Sequence, residues 1–149
     1  MKVKVSEVVA LVQADVKALS DPRLRVHVAY VLARLRRSVL EAYNAYDEVR
    51  MQIMRKYCVK DDTGQDKLTV GVNGMPEFVF DPPEKRFIAN REMEALLKQD
   101  TTVLMDKPKI QIGDVNGIFS SSDIFLLLPF VSFIDQEEIR EKRNAKGIL

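Results

Sequence analysis

An α+β fold is predicted for this chain, with a mainly helical N-terminal half and a mixed C-terminal half of small β elements and short helices. Three observations carry that prediction. Apolar residues recur at helical steps without Gly or Pro from Arg23 to Tyr57. After Lys60 the pattern changes to alternating, β-branched runs separated by Asp, Asn, Gly and Pro. Serines and an aspartate then lead directly into the apolar block of SSSDIFLLLPF, Ser120–Phe130. Steps of three and four indicate helix, alternation indicates strand, and short polar residues before an apolar run indicate a cap. At 149 residues the chain has the length of one domain, a helical part over 1–59 and a mixed part over 60–149.

Val5, Val8, Val12, Val16 and Leu19 share one side of a first helix over Ser6–Leu19. It is expected to stop at Ser20-Asp21-Pro22, where Asp21 can cap the next helix and Pro22 suits its first position. The second helix has the stripe Leu24, Val28, Val31, Leu35, Val39, Ala42, Tyr46, Val49, Ile53 and Tyr57. Some 35 residues make a rod roughly 50 Å long at 1.5 Å per residue. A compact chain of this size has a radius of gyration of about 15 Å, so the helix must kink or project. Its other face, Arg34, Arg37, Glu41, Asp47, Glu48 and Arg55, mixes signs and reads as solvated or partner-pairing.

Asp61-Asp62-Thr63-Gly64 marks a turn. Leu68–Val72 and Phe78–Phe80 read as a hairpin with a tight turn at Asn73-Gly74, and Pro76 places the second strand on an edge. Asp81-Pro82-Pro83 opens a helix over Glu84–Gln99 whose buried candidates are Phe87, Ile88, Met93, Leu96 and Leu97. Thr101–Met105 and Lys109–Ile112 are short strand candidates, with Ile110 and Ile112 on one side. Ser120 or Ser121 caps a helix beginning near Ser122, and Asp123 meets its dipole. Ile124, Leu127, Leu128 and Val131 are its buried side and Pro129 limits it. A charged helix over Asp135–Arg143, ending at Asn144 and Gly147, closes the chain.

Composition narrows the function classes. The longest apolar block, Ile124–Val131, is far below the ~20 residues a bilayer span needs. Lys2, Lys4 and Glu7 interrupt any signal-like start. Cys58 is the single cysteine, which leaves no internal disulfide and fits a cytosolic setting. Net charge is +1, yet residues 1–60 hold 12 Lys+Arg against 6 Asp+Glu, and the remainder holds 11 against 16. A basic half can attract phosphate. With no overall positive excess, neutralisation of one half by the other, within a fold or between subunits, is the better account, and no nucleic-acid partner is expected.

Chemical motifs are sparse. A serine nucleophile needs a base and an orienting group, and His27, the single histidine, lies in the long helix. His27 and Cys58 do not make a zinc site. Asp61–Asp66 lacks the alternating ligands and closing glutamate of a calcium loop. Gly71 and Gly74 form no dinucleotide fingerprint, and Phe78 with Phe80 reads as packing rather than base stacking. No catalytic residue, metal or cofactor is therefore expected. Tyr30, Tyr43, Tyr46 and Tyr57 share the long helix and suit a surface with apolar and polar demands. Tyr46, Val49, Ile53 and Tyr57 are the expected interface residues, for self-association or another protein partner.

The long helix ends in MRKYCVKDDTGQ. An extended segment, a helix ending MEALLKQDTTVLM and then PKIQIGDVNGIFSSSDIFLLLPF follow. Over about residues 20 to 133 that order resembles a widespread group of small proteins of tailed phages and prophages. Those proteins carry a long helix with a Lys-Lys-Tyr-Gly-Glu-like end, a Glu-Leu-Leu helix and a capped LSPADLLALEPF-like end. Here Cys58 stands where glycine is usual after the tyrosine, and Ser121-Ser122 replaces Ser-Pro. The resemblance implies phage origin and transfers no active site. The expected function is a non-enzymatic phage protein working by protein–protein contact, in a virion or assembly particle. The alternative is an intracellular effector that inhibits a host defence protein or sequesters a small nucleotide signal. Either is expected in the host cytoplasm during infection, without membrane contact, and the first also in the virion.

Overall fold

The computed structural model describes residues 1–147; the last two positions of the 1–149 domain expectation lie outside the described residues. The fold is α+β, with one long helix and three two-stranded sheets among the described residues. Strand β1 (Lys2–Lys4) leads into helix α1 (Val5–Ala14). Glu7 accepts the Lys4 backbone N–H at 2.7 Å, which satisfies a donor at the helix start. The predicted single helix to Leu19 is corrected here. Asp15 takes a left-handed conformation, φ 45°, and ends α1, and a separate 3₁₀ turn over Lys17–Ser20 then tucks Leu19 into the core.

Helix α2 (Val26–Tyr57) runs 32 residues without a break, about 48 Å at 1.5 Å per residue. It starts three residues later than predicted. Asp21 accepts the Arg23 backbone N–H at 2.8 Å and, with Pro22, builds a turn rather than capping the helix. Val28, Leu32, Leu35 and Val39 are almost fully buried against α1 and the C-terminal segments.

After α2, strands β2 (Leu68–Val70) and β3 (Pro76–Phe78) form the hairpin. The predicted two-residue turn is instead a three-residue loop over 72–74. Gly71 and Met75 close it through a 2.8 Å bond, and Gly74 adopts φ 77°, the left-handed position that glycine accepts without strain. The hairpin's root is tied by backbone bonds that link Val59, Lys67 and Val79.

Helix α3 (Glu84–Leu97) packs on the second half of α2. Its phase differs from the prediction. Ala89 is fully buried with Met93, Leu96 and Leu97 half-buried beside it, while Phe87 and Ile88 face outward. Strand β4 (Asp100–Thr102) pairs antiparallel with β1. Strand β5 (Lys109–Gln111) pairs parallel with β6 (Ser132–Ile134), a strand the sequence reading did not place. Ile110 is buried, but Ile112 opens the short helix α4 (Ile112–Val115) and is exposed, so the expected alternation stops one residue early.

Helix α5 (Ser121–Leu127) carries the cap predicted for Ser120. Ser120 Oγ accepts the Asp123 N–H at 3.1 Å, and Asp123 accepts the Ser120 N–H at 2.9 Å, a reciprocal capping box. Leu127, Phe130 and Val131 are buried, whereas Leu128 points outward, contrary to expectation. Helix α6 (Gln136–Ala145) follows β6.

Two substitutions probe this packing. Leu127→Ala should cost about 2–5 kcal/mol, because it empties a fully buried site. Ser120→Ala should cost about 0.5–2 kcal/mol through loss of the cap. Urea unfolding followed by circular dichroism measures both, and a Leu127→Ala chain as stable as its parent would contradict the packing of α5.

Candidate functional site

The predicted interface residues follow one side of α2 into its second half, where the structure separates them. Tyr46 lies inside the chain at 8% exposure, packed with Val5 and Val9 of α1 and against Tyr43, Leu96 and Leu97. Burial pushes its hydroxyl pKa upward. It acts as a core contact between α1, α2 and α3, so it is corrected as a surface anchor. Ile53 and Tyr57 are half-buried, and only Val49, at 39%, is exposed. Tyr57 donates its hydroxyl to Glu92 of α3, Lys56 donates to the same carboxylate at 3.2 Å, and the Lys56 ammonium lies 4.9 Å from the Tyr57 ring centre. Three titratable groups thus clamp the end of α2 to α3.

Where α2 ends, Cys58 is buried with its Sγ 3.4 Å from Asp66. Burial, with Asp66 adding to it, raises the thiol pKa and keeps it protonated. Asp66 also pairs with Lys60 and lies 3.2 Å from Arg55 Nε. The hydrogen bond from Lys60, chiefly, holds its carboxyl below the usual range. These contacts fasten the root of the β2–β3 hairpin to α2. At the other end of α2, His27 Nε2 sits 3.8 Å from Asp114, which also meets Arg25 at 3.3 Å. Among the described residues no group of three or more His, Cys, Asp or Glu is gathered to hold a metal ion. No described helix is long and apolar enough to cross a membrane.

What the structure gathers at its surface is apolar. The hairpin stands out as an arm on which Leu68, Val70, Val72 and Met75 are exposed, Val70 at 77% and Val72 completely. Leu68 and Val70 share one face of β2; Leu68 lines a hollow beside Met51 and Met54 of α2, while Val72 stands in the loop. A second apolar surface is an open groove of about 710 Å³ along the first half of α2. Val26, Ala29, Ala33 and Leu40 form its floor, the Leu19–Leu24 segment one wall, and Arg36 and Arg37 its rim. Val26 is 86% exposed there. A smaller hollow of about 200 Å³ against α1 continues it, sharing Leu19, Arg36 and Leu40. Arg36 is steered by Ser20 Oγ at 3.2 Å and Asp15 at 4.0 Å, and Arg37 by Glu41 at 3.6 Å.

Neither surface was among the predicted interface residues. Both had a signal. Val26, Ala33 and Leu40 recur at seven-residue intervals on a second stripe of α2, and a two-stranded hairpin has no layer beneath it to bury an apolar face. No family model matches the chain, and the searches of curated proteins and of solved structures return no match.

The clamp at Glu92 makes a pH prediction. The Tyr57 hydrogen bond, then Lys56, favours the charged carboxylate and lowers its pKa. A lowered carboxylate stabilises the fold above the unfolded value of about 4.3, and that contribution is lost as pH falls through the folded value. Glu92→Gln should therefore melt at a lower temperature than the parent at pH 7, and the gap should close on acidification below about pH 4. Thermal melts of both chains across pH measure this, and a gap that persists at low pH would contradict the clamp.

Proposed function

We propose that this chain is a non-enzymatic phage protein that works by protein–protein contact as a virion or assembly component. The observation that supports this reading is the pairing of an exposed apolar arm with a separate exposed apolar groove on one small chain. Isolated apolar residues are ordinary on protein surfaces, but contiguous patches of this kind are docking surfaces. The arm is convex and narrow and the groove is long and concave, so each suits a different kind of contact. The phage setting rests on the order of motifs from the long helix to the Ser-capped block.

One observation favours the second reading, an intracellular effector that sequesters a small nucleotide signal. At the arm's root a hollow of about 360 Å³ is lined by Met51, Met54, Phe78 and Phe80 with Arg50 and Arg86. The Arg86 guanidinium lies 5.7 Å from the Phe80 ring centre. Aromatic faces and guanidinium groups are what a nucleobase and its phosphate require. Against it, Arg50 already pairs with Asp47 at 2.7 Å, and Arg86 lies 3.8 Å from Glu77.

Mass spectrometry of purified virions of the encoding phage separates the two. A fixed, stoichiometric copy number per particle is expected. Presence in infected cells and absence from particles and their precursors would sink the first reading, and calorimetric titration with nucleotides would then test the second.

A further inference from the structure

We propose that the arm of one copy docks in the groove of a second copy, so that the chain self-assembles head to tail. This rests on the contact reading above and names its partner. The first argument is charge. Residues 61–86, which contain the arm and its root, hold six carboxylates (Asp61, Asp62, Asp66, Glu77, Asp81, Glu84) against Lys67, Lys85 and Arg86, a balance of −3. Residues 15–41, which contain the groove's floor, wall and rim with the carboxylates that meet the rim, hold six bases (Lys17, Arg23, Arg25, Arg34, Arg36, Arg37) against Asp15, Asp21 and Glu41, a balance of +3. The two segments thus carry opposite net charge. Complementary fields of this kind guide encounter and select the partner.

The second argument is shape. The arm presents Val70, Val72 and Met75 outward, and the groove's floor at Ala29 and Ala33 is shallow enough to admit them. The third is reach. The arm's root shares a hollow with Met51 and Met54, whereas the groove is centred near Ala33, roughly 27 Å from Met51 along an unbroken helix at 1.5 Å per residue. No residue of the arm lines the groove of its own chain. A rigid rod keeps the two apart, so each arm is available to the groove of another copy. Because the paired surfaces differ, the contact is heterologous and repeats, giving a closed ring or an open filament. Two-fold pairing of groove with groove is disfavoured, since it would bring Arg36 and Arg37 of both copies together.

Sedimentation velocity of the full chain, from a few micromolar to a few hundred, is the test. The parent should grow beyond the 17.0 kDa monomer with concentration, and added salt should weaken the growth. Val72→Asp spoils the arm and Ala33→Glu spoils the groove. Both positions are exposed, and circular dichroism should show each variant folded. Each alone should lose roughly tenfold or more in association constant. Mixed, the two variants should form a two-chain complex and stop, because Ala33→Glu supplies an intact arm and Val72→Asp an intact groove. A parent that stays monomeric throughout overturns the inference while leaving virion incorporation through other partners open. A parent that assembles equally well with Val72→Asp also overturns it and moves attention to the exposed Phe125 and Leu128 of α5. Folded variants that fail to pair on mixing do the same.

Discussion

Burial of one face of α2 is the interaction on which the rest of the structure depends. Val28, Leu32, Leu35 and Val39 are 2% exposed or less. Each contributes roughly 1.5–3 kcal/mol by leaving water. Around these four the chain collects pieces remote in sequence. Val3 and Val8 come from the start, Val103 and Ile110 from the middle, and Leu127, Phe130 and Val131 from the end. The first half of α2 is therefore a spine. Its second half has a smaller company, the Val5, Val9 and Tyr46 cluster with Leu96 and Leu97 from α3. A helix of about 48 Å cannot be wrapped on all sides by the short elements that follow it, and the uncovered sides become the groove at one end and the arm's seat at the other.

What was legible in the sequence was local. The length of α2 followed from an apolar step pattern with no breaker, and the α5 cap followed from the Ser120 and Asp123 spacing, since both depend on neighbours within four residues. The features that were missed depend on distant partners. Strand β1 exists because Lys2–Lys4 meets Asp100–Thr102, and β6 because Ser132–Ile134 meets Lys109–Gln111. Each is only three residues long, and the alternation of Lys2, Val3 and Lys4 runs straight into the apolar steps of α1. In α3 the phase was misread because Phe87 and Ile88 look like core residues. The buried side instead centres on Ala89, and the larger pair is left outside. At Asp15 a single left-handed residue divided what the periodicity joined, while Val16 and Leu19 still face the core across the gap.

The same logic explains the mixed fate of the expected interface. Tyr46 belongs to the apolar stripe of a rod expected to kink or project, which places it among the expected interface residues. Helices α1 and α3 cover it at that level, so the ring is buried and its hydroxyl pKa rises. One turn later coverage thins and Val49 is exposed. Past Ile53, Tyr57 is held by a polar clamp rather than by apolar depth. Periodicity identifies which side of a helix is buried but not which part of the fold buries it. The true uncovered surface lies on the adjacent stripe, Val26, Ala33 and Leu40, where the floor is small side chains and the rim is arginine.

The arm sets a last constraint. Two strands of three residues make a marginal hairpin in water, and an exposed pair of edges invites unwanted strand pairing. Pro76 has no N–H to offer on one edge, and Lys67 and Glu77 place charge on the flanks. Backbone pairing along the edges is thereby discouraged, while Val70 of the strand and Val72 of the loop stay bare. At the root, bonds joining Val59, Lys67 and Val79 and the Lys60–Asp66–Arg55 charges fix the base, so the loop at 72–74 is the freest part. An element anchored at its base and guarded at its edges suits contact through its side chains better than extension of a sheet. The groove beside Val26, Ala33 and Leu40 of its own chain has no arm residue in its lining.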